Sequence, residues 1–211
     1  GEMFGEEYTL VAVADYVLKH TPGNTVSNLS SSRALKDVTE AYGQQYHAAA
    51  VGEVNVVAEM KRTHSVIGGE GNGGVIYPES HYGRDALVGV GLFLSHYVAQ
   101  SKKMTELKST YPPYFISKNK MTLSPDMDVD KILEGLKERY ATEKVTDIDG
   151  VKIDFAQGWV HLRKSNTEPI IRIYSEAKDE AAANQLAEEV IAAAKAAQCD
   201  EFISKLPDGY Q

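Results

Sequence analysis

The 211-residue chain has one cysteine and one tryptophan. A lone thiol, Cys199, cannot form an internal disulfide, and a chain without disulfides is expected in the cytoplasm. Basic residues are in deficit: 22 Lys and Arg stand against 30 Asp and Glu, a formal net charge of −8. Nonspecific nucleic-acid binding and attachment to an anionic membrane surface both require a broad basic face, so neither partner is expected. An anionic ligand must instead be met by a local cluster of cations. Long apolar runs are also missing. The longest, Ala86 to Val98, is interrupted by Ser95 and His96 and is too short to span a bilayer, and no signal peptide is visible. His64, His81 and His96 stand apart without ligand spacing, which predicts no metal on this chain. There is no initiator methionine before Gly1-Glu2-Met3-Phe4, which reads as a fragment or a processed product.

What the sequence does contain is concentrated in two stretches. In Ile67-Gly68-Gly69-Glu70-Gly71-Asn72-Gly73-Gly74-Val75-Ile76, five of seven central residues are glycine, so the backbone is free to turn and a ligand can approach it closely. Only Glu70 and Asn72 carry functional groups there. A carboxylate and an amide two residues apart accept from and donate to vicinal hydroxyls, as sugar binding requires. A dinucleotide fingerprint needs a helix directly after the glycines, but the strand-formers Val75, Ile76 and Tyr77 and then Pro78 follow. A phosphate-cradling P-loop needs Gly-Lys-Ser/Thr, which is absent. The plain alternative is a turn between two strands.

The second stretch is Arg163-Lys164-Ser165-Asn166-Thr167-Glu168-Pro169. Two cations and three short hydrogen-bonding side chains lie between two strand patterns. Guanidinium binds phosphate bidentately, and Ser165, Asn166, Thr167 and the turn amides complete a nest for its oxygens. Arg172, at the start of the return strand, either reaches the same place or lies on a solvated face. An ordinary polar hairpin tip is the competing reading.

Periodicity supplies the frame. Helices are predicted over Glu6 to Leu18, from Ala34 to Tyr42 behind Ser30-Ser31-Ser32, over Val54 to Met60, and from Asp85 to Gln100 against the sheet. Strands are predicted at Thr25 to Leu29, Tyr46 to Val51 and His64 to Ile67, the last delivering the glycine loop. This alternation reads as a mixed, mostly parallel α/β sandwich. Tyr111-Pro112-Pro113-Tyr114 reads as a stiff linker. Beyond it come a helix at Val129 to Tyr140, three strands (Val151 to Phe155, Trp159 to Arg163, Ile170 to Ser175) and a helix at Asp179 to Ala197. These form a small α+β domain with an antiparallel sheet and two helices. The predicted division is 1–110, a linker at 111–126, and 127–211. Asp126-Met127-Asp128-Val129-Asp130 reads as a helix cap, and Arg84-Asp85 likewise, with Arg84 as a possible ligand for an anionic substrate. Trp159 and Tyr174 would be the stacking platforms of a nucleic-acid surface, which the net acidity opposes.

Together the two stretches resemble the α-D-phosphohexomutase family, the phosphoglucomutases, phosphomannomutases and phosphoglucosamine mutases. Gly69-Glu70-Gly71-Asn72-Gly73-Gly74 is similar to its sugar-binding loop and Arg163 to Pro169 to its phosphate-binding loop. The resemblance implies the third and fourth of four family domains, the last TBP-like. It implies an enzyme that interconverts hexose 1-phosphate and hexose 6-phosphate through a bisphosphorylated intermediate. Glu70 and Asn72 would hold sugar hydroxyls, and Arg163, Ser165, Asn166, Thr167 and Arg172 the phosphate. The catalytic phosphoserine and the DGDxDR loop that binds Mg2+ belong to the first two family domains, so a fragment without them is expected to bind but not catalyse, with no cofactor of its own. Its partners would be a phosphorylated hexose and the missing N-terminal domains. A stand-alone sugar-phosphate-binding or scaffold module is the alternative. Two departures stand out: many members read Ser-Gly-His where this chain has Asn72-Gly73-Gly74, and Thr-x-Val-Gly where it has Ala49-Ala50-Val51-Gly52.

Overall fold

The computed structural model describes residues 3–123, 128–165 and 168–204, without the side chains of 197–204. The chain divides into two compact units, 1–114 and 115–211.

The first unit begins with α1 (Glu6–His20), whose acidic first turn and basic last turn complement the helix dipole. It buries Leu10, Val13, Ala14, Val17 and Leu18 and stops before Pro22. There follow β1 (Thr25–Asn28), α2 (Ala34–Ala41), β2 (Tyr46–Ala49), α3 (Glu53–Thr63), β3 (Ile67–Glu70), β4 (Gly74–Ile76), α4 (Ala86–Gln100) and α5 (Met104–Lys108). The sheet order is β2-β1-β3-β4. The first three strands are parallel and β4 is antiparallel to β3, so the sheet is mixed and mostly parallel, as the alternation predicted.

Two expectations are corrected here. His64 does not open the third strand; it ends α3 in the left-handed conformation (φ 51°), and β3 starts at Ile67. Gly68 and Gly69 are therefore strand residues rather than loop. Packing explains their identity: a Cβ on Gly68 would come within 2.6 Å of Met60 Sδ and 2.8 Å of Val26 O, and one on Gly69 would strike the Gly74 carbonyl across the hairpin. The second concerns how much of the apolar α4 is covered: it packs on β4 of the sheet, as expected, and on α1, but buries only Gly89 and His96, leaving Leu87, Val90, Leu94 and Val98 exposed.

The proline segment lies on this unit. Tyr8 hydroxyl donates to Pro112 O at 2.6 Å and accepts from Tyr114 N at 2.7 Å. Tyr111 hydroxyl donates to Asp15 Oδ2 at 3.0 Å, Tyr42 hydroxyl to Asp15 Oδ1 at 2.7 Å, and His96 Nε2 lies 2.8 Å from Tyr111 hydroxyl. Burial pushes the Asp15 carboxyl up, but hydrogen bonds from His96, Tyr42 and Tyr111 outweigh it and leave Asp15 below its ordinary range.

The second unit contains β5 (Phe115–Thr122), α6 (Val129–Arg139), β6 (Lys144–Thr146), β7 (Val151–Asp154), β8 (Gly158–Lys164), β9 (Ile170–Ala177) and α7 (Glu180–Ser204). Its sheet is antiparallel throughout, in the order β5-β9-β8-β7-β6. Five strands stand where three were expected. β5 lies in residues read as linker: its Lys118, Asn119 and Lys120 mask a strand pattern, and only eight residues of pairing with β9 reveal it. β6 has three residues, too few for a periodic signal. With no Gly or Pro to stop it, α7 runs to Ser204 rather than Ala197, so Cys199 lies within it, although its side chain is outside the described residues. One sheet face joins α6 and α7 in a core that includes Ile132, Leu136, Val160, Leu162, Ile173, Leu186 and Val190. Asp128 caps α6 by accepting from Asp130 N and Lys131 N; Asp126 and Met127 lie outside the described residues. Trp159 is wholly buried, donates to Glu176 Oε1 at 2.8 Å and has Lys152 Nζ 4.3 Å from its ring, so it offers no face to a base.

Candidate functional site

Glu70 is the last residue of β3 and pairs with Gly74 across the hairpin, leaving Gly71-Asn72-Gly73 as the turn. Gly73 takes φ 82°, a left-handed value that suits glycine, and Asn72 Oδ1 accepts from Gly74 N at 3.2 Å to close the turn. The glycine stretch is thus a turn between two strands, the plain alternative, and it lies where ligands sit in such sheets, beyond the carboxyl ends of β1 and β3.

The Glu70 carboxylate is 6% exposed and held at both oxygens. Asn28 Nδ2 donates to Oε1 at 3.0 Å and Arg84 Nη1 lies 3.3 Å from Oε2. Asn28, at the end of β1, is itself aimed by Ser30 N and Ser31 hydroxyl, both donating to its Oδ1 at 3.0 Å. Ser31 hydroxyl also accepts from Gly71 N at 2.9 Å, fastening the turn to the β1 loop. Arg84 is anchored by Glu53, whose Oε1 accepts from the Arg84 backbone N at 3.0 Å and whose Oε2 accepts from Nε at 2.7 Å. Those hydrogen bonds, the backbone one first, hold the Glu53 carboxyl below its ordinary range. Asp85 caps α4, accepting from Leu87 N and Val88 N at 2.9 and 3.0 Å, as read from the sequence. A cleft of ≈ 440 Å³ opens beside the turn, lined by Glu53, Asn72, Gly73, Gly74, Arg84 and Asp85 among others.

In the second unit Arg163 sits on β8 directly opposite Arg172 of β9, and Arg172 is opposite Lys120 of β5. Three cations therefore stand in a row across three strands. Like charges directly opposed in a sheet repel, and a bound anion relieves that repulsion. Arg163 Nε is buried with no hydrogen-bond partner among the described residues, while Arg172 Nη2 is 3.8 Å from Glu168 Oε2. Ser165 is buried, its N donating to Ile170 O at 3.0 Å. Asn166 and Thr167 lie outside the described residues.

Sequence reasoning missed Asn28, Ser31, Glu53 and Lys120. Ser31 stood in a serine run read as a helix cap; in the structure Ser32 hydroxyl accepts from Ala34 N, and Ser31 serves the glycine turn. The others had no local signal, because each meets its site only through strand pairing or a distant contact.

Family comparison covers both units. Residues 5–114 match the family model "Phosphoglucomutase/phosphomannomutase, alpha/beta/alpha domain III", and residues 118–193 match "Phosphoglucomutase/phosphomannomutase, C-terminal domain". The chain belongs to the phosphoglucomutase/phosphomannomutase family. It is 36% identical over 191 residues to a phosphoglucomutase/phosphomannomutase of Thermococcus kodakarensis, covering 89% of this chain and 41% of that protein. It is also 36% identical over 167 residues to a phosphoglucosamine/phosphogalactosamine mutase of Sulfurisphaera tokodaii, covering 78% of this chain and 37% of that protein. The chain thus spans about two fifths of the length of the curated relatives it matches. A solved phosphoglucomutase/phosphomannomutase family protein from Burkholderia thailandensis shares the fold, with a TM-score of 0.77 at 23% identity over 94% of this chain and 43% of that one. Among the described residues no three His, Cys, Asp or Glu side chains converge to hold a metal, and no helix is long and apolar enough to cross a membrane.

Proposed function

We propose that this chain is the sugar- and phosphate-binding part of a phosphohexomutase, the unit up to Tyr114 holding sugar hydroxyls and the unit from Phe115 holding a phosphate group. The observation that carries this reading is the bare turn itself, whose Asn72, Gly73 and Gly74 line an open cleft with Arg84, next to the preset carboxylate of Glu70. Each sugar hydroxyl both donates and accepts; Glu70 accepts, and the Asn72 amide donates. In the second unit Arg163, Arg172 and Ser165 receive the phosphate, with Asn166 and Thr167, next in the sequence, proposed as further donors. Its charge offsets the repulsion of the cation row and gives the buried Arg163 Nε an acceptor.

In the whole enzyme this binding serves orientation. Holding the far phosphate and the ring hydroxyls fixes the near phosphate for in-line transfer between C1 and C6, and the binding energy goes into alignment. Magnesium, which the family resemblance implies, would neutralise phosphate charge when bound. The described residues here do not fit it, so no step on this chain runs through the metal. Glucose, mannose and glucosamine phosphates all present the hydroxyl pattern and the phosphate that this reading uses.

The test is an NMR titration of the purified chain with glucosamine 6-phosphate, inorganic phosphate and an oligonucleotide. Hexose phosphate should shift the amides of 71–74 and the Arg163 side chain, inorganic phosphate only the latter, and the oligonucleotide neither. Absence of any hexose-phosphate shift at both hairpins sinks the proposal, and mutase turnover by the chain alone would contradict its binding-only role.

A further inference from the structure

Resting on the sugar-binding reading of the first hairpin, we propose that Arg84 is a third ligand-contacting residue of that site, and that Gly74 is bare so that the Arg84 side chain can lie across it. Nothing in the turn's backbone demands glycine at position 74, since Gly73, not Gly74, has the left-handed φ. Space favours it: a Cβ built on Gly74 would sit 2.6 Å from Arg84 Cδ, 3.0 Å from Asn72 Oδ1 and 3.4 Å from Arg84 Cγ. The arginine stem occupies the volume that any side chain at 74 would need.

That placement puts the guanidinium where it joins two carboxylates. Its Nε bonds Glu53 Oε2 at 2.7 Å and its Nη1 stands 3.3 Å from Glu70 Oε2. The second terminal nitrogen, Nη2, has no hydrogen bond or ion pair among the described residues, although Arg84 lines the cleft beside the turn. Guanidinium carries five donors in a fixed plane, so fixing two of its nitrogens also fixes the direction of the third. A hydroxyl in the cleft can then accept from Arg84, while Glu70, 6% exposed and outside the cleft lining, helps to hold the guanidinium in place. Arg84 also positions Glu70 by holding Oε2 while Asn28 holds Oε1. The ligand class follows: a neutral polyol rather than a free anion, because the two carboxylates of Glu53 and Glu70 outweigh the single charge of Arg84 and leave the cluster net negative.

The substitutions of Arg84 itself provide the test, with Gly74→Ala, which crowds both Arg84 Cδ and Asn72 Oδ1, as a second route to the same site. Glucosamine 6-phosphate affinity is measured by titration for the wild-type chain, Glu70→Gln, Gly74→Ala, Arg84→Ala, Arg84→Lys and the Gly74→Ala/Arg84→Ala double variant, each first shown to be folded by circular dichroism. Loss of one charge-assisted hydrogen bond weakens binding about tenfold or more. Arg84→Ala should show that loss and Arg84→Lys should recover part of it, while Gly74→Ala should also weaken binding and the double variant should fall short of the product of the two single effects. Inorganic phosphate affinity should not move in any of them. If Glu70→Gln weakens binding while Arg84→Ala leaves it unchanged, the Arg84 assignment is overturned and the sugar-binding reading stands. If Glu70→Gln itself has no effect, the reading fails and takes Arg84 with it.

Discussion

In the β3–β4 hairpin the carboxylate of Glu70 is held at both oxygens, by Asn28 and by an Arg84 that Glu53 anchors in turn, whereas in the β8–β9 hairpin Arg163, Arg172 and Lys120 stand side by side across their strands. The first hairpin has its one cation already paired with two carboxylates, a net negative cluster that suits a neutral polyol better than an anion: the ligand adds hydrogen bonds to a fixed frame. The second concentrates charge of one sign, which suits an anion and leaves the empty site under repulsion. Each hairpin also contains a strand glycine that permits close approach, Gly69 against the Gly74 carbonyl and Gly158 against the Glu176 carbonyl. Backbone packing is thus handled alike in the two, and the difference between them lies in the arrangement of charge.

The largest way to break this comparison is through its shared part. Gly69→Ala drives a methyl into the opposite carbonyl and should destabilise the first unit by about 3 kcal/mol or more, with Gly158→Ala doing the same to the second. Urea titrations followed by unit-specific amide signals check this, and an unmoved midpoint for either variant would show that the strand separates freely. Acid should then distinguish the units. The His161 imidazole, 1% exposed, is pushed down to about 4 by burial, against an ordinary value of 6.5. The unfolded chain takes up the proton first as pH falls, so the stability from neutral His161 is complete above pH 6.5 and is lost between 6.5 and 4. That loss is about 3 kcal/mol for the second unit, and His161→Gln should flatten the slope. Stability that stays constant across that window would refute it.

Arg163→Ala sharpens the contrast in charge. It should weaken inorganic phosphate binding about tenfold or more, and the thermal midpoint should not fall, because a buried unpartnered donor and a repulsion are removed together. Glu70→Gln should leave inorganic phosphate affinity unchanged; calorimetric titration of both variants decides. The smallest effect is at Asp85, where loss of the cap bonds to Leu87 N and Val88 N in Asp85→Ala should cost about 1 kcal/mol, read from the melting curve.

Much of the frame was legible because its signals are local. The apolar spacing of Leu10, Val13, Ala14 and Val17 marks α1, Asp85 and Asp128 cap their helices through neighbouring amides, and Val75 and Ile76 mark the strand that follows the glycines. β5 was illegible for the opposite reason. With Lys118, Asn119 and Lys120 in succession its residues read as linker, and β9 supplies the pairing that makes them a strand. The same holds for the buried Trp159, which by composition alone resembled a stacking surface and by packing is closed off.

By itself the sequence determined the helix and strand types, the order of the two units and the chemistry of the two turns, since hydrogen-bonding groups and periodicity belong to residues close in the chain. Only the tertiary structure decided which carboxylate is held and by what. Asn28 lies 42 residues from Glu70, and Glu53 lies 31 from Arg84. Contacts at that separation exist only once the entropy of closing the intervening chain has been overcome by the packing of the whole sheet.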